Sequence, residues 1–371
     1  MKDVFKTFNS GRANFFLMAF ISCIIGGAVL KLTASMVVPL IIAILLAFVM
    51  YPLVLGLDKL RSPRFLSIFL VVLIIGAGLY LFALVLFSSA RAIFSLYPKY
   101  ENRLTEIYLW ASRYMELSYD EDLTFFQNLW GQLGVRTLVR NYTFSFSSIF
   151  FRFLKDAVIM VLFLVFILVE ASHFREKLDT AFGEKHAGPI KQIGADVMLQ
   201  VTRYLTAKFL ISLFTGLVVA AGLRLVGLEF AIVWGVIQFV LNFIPSLGSI
   251  AAGVAVSLFG LIQFWPEPGP VIAVMAIMLG ANMIIGNVLD PKIIGDNVGL
   301  STLVVLIALV FWGFIWGFAG MVMAVPMMVI IKIICEHVPF LEPVSVLLGS
   351  RKSVLKKKAR DNAEQNLTGM L

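Results

Sequence analysis

Residues 287–334 read NVLDPKIIGDNVGLSTLVVLIALVFWGFIWGFAGMVMAVPMMVIIKII. The stretch opens on acid, base, glycine and proline inside an otherwise apolar half of the chain, then carries no charge from residue 303 to residue 331. As one helix that uncharged run would be about 43 Å long, against about 30 Å for the hydrocarbon core of a bilayer. It is therefore either a long tilted helix or one folded back on itself. A polar, Gly/Pro-rich cluster beside such a run is the material from which membrane transporters build a solute path.

The composition agrees. Of 371 residues, 60% are hydrophobic and 14% charged, well below the roughly 25% charged of soluble domains; the mean hydropathy is +0.95. The apolar residues sit in long runs, so the chain is expected to be an all-α polytopic membrane protein with no water-soluble domain of independent size. Cys23 and Cys335 lie in or beside apolar segments and form neither a zinc motif nor a disulfide framework. His173, His186 and His337 flank apolar segments without an H-E-x-x-H pair, and the sequence has no G-x-S-x-G and no phosphate-binding Gly-rich loop. Hydrolytic and ATP-driven chemistry thus lack local support, and no enzyme activity, cofactor or metal site is expected.

The net charge of +8 is read as topology. Arg351, Lys352, Lys356, Lys357, Lys358 and Arg360 crowd into a tail just beyond an apolar segment, which points to a cytoplasmic C-terminus against anionic lipid headgroups. So short a tail lacks the supporting structure that nucleic-acid binding needs. Lys2, Lys6 and Arg12 precede an apolar run at 13–30 that is long for a signal peptide and has no clear cleavage site. It is read as an uncleaved first span with its N-terminus inside.

Five regions follow from this reading. Residues 1–89 hold three spans, at 13–30, 36–56 and 65–89. Residues 90–152 form an amphipathic extracytoplasmic helical region. Its Ile93, Tyr97, Tyr100, Leu104, Ile107, Ala111 and Tyr114 recur at alternating spacings of four and three, a heptad seam, on a helix expected to start near Pro98. The seam suits either packing on its own neighbours or a contact between protomers. Residues 153–205 hold a fourth span at 153–169 and a cytoplasmic helix, expected from Gly188-Pro189, with Ile190, Ile193, Val197, Val201 and Tyr204 on one face. It leads without a breaker into a fifth span at 206–225. Residues 206–336 are the transport core, and 337–371 the basic tail.

Within the core, 230–264 is interrupted by a polar stretch at 242–249, and 301–334 is interrupted at 313–320 and again at Pro326. A sixth full span, 271–286, lies between them. Each interrupted stretch is one broken span or a re-entrant hairpin. Arms of about 14 to 16 residues on either side of a polar or glycine tip favour hairpins over a rod of about 50 Å.

Backbone groups freed by Pro and Gly at membrane depth must be buried in protein or line a wet cavity. Asn242, Ser246 and Ser249, around Pro245 and Gly248, are therefore candidate solute contacts, offering donors and acceptors without charge. The competing reading is that they only satisfy the broken backbone. Asn282, Asn287, Ser301 and Thr302 extend the candidate path; on an α-helix the two asparagines are offset by about 140°. Asp290, beside Lys292, is the candidate coupling-ion or proton site, or the pair marks the membrane surface. Gly295, Gly299, Gly313, Gly317, Gly320 and Pro326 are read as hinges or close-packing positions, and Phe311, Trp312 and Trp316 as packing aromatics.

An ordered series of motifs then becomes recognisable: Trp234-Gly235, the Asn242-Phe-Ile-Pro245-Ser-Leu-Gly248-Ser249 run, Asn287-Val-Leu-Asp290-Pro291-Lys292 leading to Gly295, Gly299-Leu-Ser-Thr-Leu-Val-Val305, Phe311-Trp-Gly313, Gly317-x-x-Gly320 and Ala324-Val-Pro326. The series resembles the autoinducer-2 exporter family of bacterial permeases, densely from about residue 188 to 336 and more weakly in span layout elsewhere. The resemblance implies an oligomeric permease of the bacterial cytoplasmic membrane. In that family, members are associated with export of the quorum-sensing signal autoinducer-2, and others with sodium or lithium/proton antiport. Many members carry His-Pro where this chain has Ser301-Thr302, which weakens transfer of roles from the antiporter-like members. The expectation is an alternating-access permease for a small polar solute. The alternatives are a monovalent cation/proton antiporter and a non-transporting membrane scaffold.

Overall fold

A computed structural model describes residues 10–59, 63–115, 136–171, 173–289, 299–350 and 355. Asp290, Lys292, Gly295 and the six basic residues of the tail lie outside the described residues. In chain order the helices are α1 (Ser10–Leu32), α2 (Ala34–Asp58), α3 (Arg64–Met115), α4 (Arg136–Glu170), α5 (Phe174–Val226), α6 (Ala231–Leu241), α7 (Leu247–Phe264), α8 (Pro268–Ala281), α9 (Thr302–His337) and α10 (Glu342–Leu348). Side chains such as Phe65, Leu225, Val310 and Phe314 are 72–90% exposed, which suits a surface solvated by lipid and not by water.

Among the described residues, six helical segments are long and apolar enough to cross a membrane: Ala34–Asp58, Arg64–Val85, Gly188–Val226, Leu247–Phe264, Pro268–Gly286 and Thr302–His337. This is a multi-pass membrane protein. Four of the six match expected full spans and two lie in the interrupted stretches. The expected spans at 13–30 and 153–169 are helical within α1 and α4; Arg152, Lys155, Asp156 and Glu170 bracket the apolar part of the second. That helix still packs centrally, burying Met160, Leu164 and Leu168 against Ala43, Ala47 and Val54 of α2 and Ile68 and Val71 of α3.

Both interrupted stretches fold back. Hairpin 1 is α6 and α7. At its tip the Leu241 carbonyl abuts Gly248, and at its base the Gln263 amide accepts from the Glu229 N–H (2.8 Å) and donates to the Gly227 carbonyl (2.9 Å). Between them Trp234 lies 5.2 Å from Phe259, ring centre to ring centre. The arms are unequal, 11 and 18 residues, and not the near-equal pair expected.

Hairpin 2 is α9, which turns at Gly317 (φ 60°, ψ −138°). Residues eight apart along a straight helix are about 12 Å apart, yet Gly320 sits on the Trp312 carbonyl and Met321 on Gly313. Pro326 does not interrupt the second arm: its backbone stays helical and the residue is buried. Trp316 Nε1 ties the tip to the Leu30 carbonyl at 3.0 Å, and Lys31 Nζ lies 3.8 Å over the Phe314 ring.

The long helix α5 measures the depth of each hairpin. Hairpin 1 is anchored at Gly227, at one end of α5; hairpin 2 is anchored near Asp196, whose carboxylate is 3.3 Å from His337 Nε2. Those anchor points are about 46 Å apart at helical rise, so the hairpins enter from opposite ends. Asn242, at the tip of hairpin 1, bonds Ser212 of α5, about 22 Å from Gly227. The break therefore lies near mid-depth. Ile244 at this tip is buried in one apolar cluster with Leu309, Trp312 and Trp316 of hairpin 2 and with Val197, Val201 and Tyr204 of α5.

The expected helix start near Pro98 is not found. α3 runs unbroken from Arg64 through Pro98 to Met115, so the membrane span and the amphipathic region are one rod. Of the expected seam, Tyr100 packs on Phe259 of hairpin 1, with ring centres 5.3 Å apart. The side chains of Ile93, Tyr97, Ala111 and Tyr114 lie outside the described residues.

Candidate functional site

The polar groups at mid-depth are assembled by four helices. Asn242 Nδ2 donates to Ser212 Oγ at 3.0 Å, and the asparagine is 8% and the serine 0% exposed. One turn back on the same face of α6, Gln238 Nε2 donates to Asn282 Oδ1 at 2.9 Å, and Asn282 Nδ2 donates to the Ser249 carbonyl at 3.2 Å. Asn282 opens a π-helical turn (Asn282–Leu289) that continues α8. Bonding from i to i+5 stacks residues five apart, so the backbone positions 282 and 287 share a face, contrary to the 140° offset expected of an α-helix. The side chain of Asn287 is outside the described residues.

The two readings of the tip divide residue by residue. Ser249 Oγ donates to the Ser246 carbonyl at 3.0 Å, so it serves the broken backbone. The amides of Asn242, Phe243, Ile244, Leu247 and Gly248 also find carbonyl partners in or just before the turn. Asn242 is spared that duty and bonds across to α5. Ser246 is exposed at φ 60°, ψ −54°, a conformation that non-glycine residues hold only when the surroundings impose it. Ser301 and Thr302 are not part of this seam. They start hairpin 2, where the Ser301 N–H donates to the Leu348 carbonyl (2.9 Å) and the Ser350 N–H to the Gly299 carbonyl (2.8 Å).

Two residues of the seam, Ser212 and Gln238, were not among the candidates. Ser212 shares a face of α5 with Lys208 and Thr215, whose hydroxyl donates to the Ile211 carbonyl of its own helix; these three are no more than 3% exposed. Gln238, 0% exposed, is i−4 to Asn242. Polar residues at positions i, i+4 and i+7 in an otherwise apolar helix were the signal available. Beyond Lys208, two ion pairs lie at the base of hairpin 2, where Lys332 pairs with Glu336 at 3.0 Å and His337 with Asp196 at 3.3 Å. Two surface depressions, of about 540 and 340 Å³, are lined by residues of α3, α4 and the start of α5 and do not touch the seam.

The far end of α3 clamps the base of hairpin 1. Lys99 and Tyr100 both donate to the Glu229 carboxylate, Arg103 Nη1 donates to the Trp265 carbonyl at 2.6 Å, and Trp110 packs edge-on against Trp265 at 5.3 Å. Burial pushes the Glu229 carboxyl up, but the hydrogen bonds from Lys99 and Tyr100 outweigh it and hold it below the usual carboxylate range. Burial, and then Glu229, push the Tyr100 phenol far above its ordinary value, so it stays a donor. A carboxylate held low stabilises above its unfolded value of about 4.3 and loses that contribution as pH falls through the lowered folded value. The clamp is thus expected to hold at neutral pH and to open only in acid, as pH falls through the lowered value of Glu229. Glu229→Gln should loosen it already at neutral pH, raising amide exchange over 99–110. Unchanged exchange in that variant would refute the clamp.

The sequence is similar to those of known proteins over most of its length. Residues 15–340 match the AI-2E family transporter profile. A transport protein of Borreliella burgdorferi is 34% identical over 323 residues, 86% of each chain. The AI-2 transport protein TqsA of Escherichia coli K12 is 30% identical over 323 residues, 86% of this chain and 91% of that one. The sodium-lithium/proton antiporter of Halobacillus andaensis is more distant, 26% identical over 313 residues, 79% of this chain and 87% of that one. A match that takes in both hairpins and every helix between them is more than a shared hydropathy pattern, and it places this chain in the AI-2E family of membrane transporters.

Proposed function

We propose that this permease exports autoinducer-2, or a similarly small, neutral and hydroxylated solute, across the bacterial inner membrane by alternating access at the two hairpins. Both termini are then cytoplasmic, with the basic tail from Arg351 to Arg360 on anionic headgroups and the protein a homo-oligomer. The observation that carries this reading is the mid-depth seam of Ser212, Gln238, Asn242 and Asn282. It is built from amides and a hydroxyl, which suit a solute with donors and acceptors and no charge. The name of the E. coli relative points the same way.

Antiport of a monovalent cation is the runner-up, on the strength of the more distant relative. It calls for a carboxylate within the membrane. The described carboxylates of hairpin 2 and its α5 anchor, Glu336 and Asp196, sit at the hairpin base and are already paired. The scaffold alternative gains nothing from relatives named as transporters.

The test is uptake of autoinducer-2 into inverted vesicles, with and without proton or sodium gradients. Asn242→Ala is expected to cut uptake about ten-fold or more, the size of one buried hydrogen bond, in a protein that still folds. Uptake equal to that of the unaltered protein would remove the seam from the path. Absent uptake, with sodium-driven proton movement that Asp290→Asn abolishes, would establish the antiporter instead.

A further inference from the structure

Resting on that reading, we propose that Gln238 Oε1 and Trp234 Nε1 are direct solute ligands. The site they define takes a neutral molecule with a hydroxyl donor and a second, accepting oxygen. The seam has a direction, and its direction assigns the atoms. The Ser249 carbonyl at one end can only accept, so the Asn282 atom facing it is the amide nitrogen. Asn282 Oδ1 then faces away and must receive a donor, which is Gln238 Nε2. What Gln238 has left is its carbonyl oxygen. The orientation of both amides follows from the backbone carbonyl and needs no further choice.

Gln238 is 0% exposed, and Oε1 is buried with no hydrogen-bond donor among the described residues. A buried acceptor left alone is costly, and buried polar groups that lack a partner ask for an explanation. One turn earlier on the same face of α6, the Trp234 indole nitrogen is also buried without an acceptor. Positions four apart on a helix have Cβ atoms about 5–6 Å apart. An acceptor and a donor one helical turn apart on one face suit a compact molecule carrying two oxygens. A free carboxylate would find no partner in the glutamine oxygen, and a bare cation none in the indole N–H.

Trp234→Phe removes the donor and keeps the ring that packs on Phe259. Gln238→Met removes the acceptor at nearly constant volume. Binding of autoinducer-2, of an analogue lacking one hydroxyl, and of sodium ion would be measured by titration calorimetry on the full-length protein in detergent. A thermal melt would check folding. The expected result is about ten-fold weaker autoinducer-2 binding in each variant, with the deoxy analogue, which lacks the hydroxyl that Gln238 accepts from, bound equally by Gln238→Met and the unaltered protein. Undiminished autoinducer-2 binding in Trp234→Phe overturns the assignment of these ligands while the export reading stands. Sodium binding that Gln238→Met abolishes overturns the solute class. An unaltered protein that neither binds nor transports autoinducer-2 overturns both readings.

Discussion

Gly320→Ala is expected to prevent hairpin 2 from closing. A Cβ at that position would lie 1.9 Å from the Trp312 carbonyl oxygen and 2.6 Å from its carbon. The obstacle is backbone, so no rotamer change relieves it, and the two arms must part. Overpacked cores lose about 1–3 kcal/mol where side chains can yield. Here the cost should reach about 3 kcal/mol or more, a large share of the roughly 5–15 kcal/mol that holds a domain together. Gly248→Ala should act alike at hairpin 1, with its Cβ 1.7 Å from the Leu241 carbonyl oxygen. Gly317→Ala is the instructive contrast. Its Cβ would meet nothing within 4 Å, but the residue holds φ 60°, so only backbone strain of about 1–3 kcal/mol is at stake. Thermal midpoints of the detergent-purified variants rank the three. A Gly320→Ala protein that melts with the unaltered one would show that the arms do not touch as described.

Asn282→Leu should be the most damaging single side-chain change in the seam. An average interhelical hydrogen bond in a membrane contributes only about 0.6 kcal/mol. This substitution does more than remove a bond: it orphans the buried Gln238 Nε2 and takes from the Ser249 carbonyl, which α7 still bonds internally, its second donor. An unsatisfied buried group costs about 1–3 kcal/mol, enough to lower the melting point by several degrees. Transport should fall with it, because α8 and hairpin 1 lose their link at mid-depth. Asn282→Asp offers a control on mechanism. Its carboxylate still accepts from Gln238 but gives the Ser249 carbonyl no donor, so it should retain part of the stability. Equal, wild-type stability in both variants would mean that the three groups are not linked.

Much of this architecture was legible in the residues because bilayer thickness and helical rise are fixed lengths. A charge-free run too long for one upright crossing, interrupted at 313–320, must tilt or turn, and the run interrupted at 242–249 poses the same choice. The all-helical membrane fold and the neighbourhoods of both tips follow from that arithmetic; that both runs fold back, the second at Gly317, is shown by the structure. The ordered motifs from Trp234 to Pro326 pointed to the family that the comparisons then established. Other features were out of reach for equally physical reasons. Pro98 reads as a helix start, yet α3 passes through it, since its far end is clamped onto Glu229 and Trp265 by contacts distant in the chain. The helix expected to lead without a breaker from residues 190–204 into the span at 206–225 is observed as α5, but that its Val197, Val201 and Tyr204 join the apolar cluster of hairpin 2 was not legible.

The seam itself shows where the division lies. Hydropathy along the chain is a one-dimensional property, and it sets how often the chain crosses and where it must bend. Whether Ser212 meets Asn242, or Gln238 meets Asn282, depends on the depth and rotation of four separate helices. Apolar periodicity leaves both open when lipid can cover almost any face. Those quantities are settled by close packing: by Gly216 against Gly235, where a Cβ would come within 2.7 Å of the facing carbonyl oxygen, and by a π-helical turn that rotates the end of α8. The crossings and the turns are thus a matter of length and composition, whereas the meeting of polar groups at mid-depth is a matter of how the helices seat against one another.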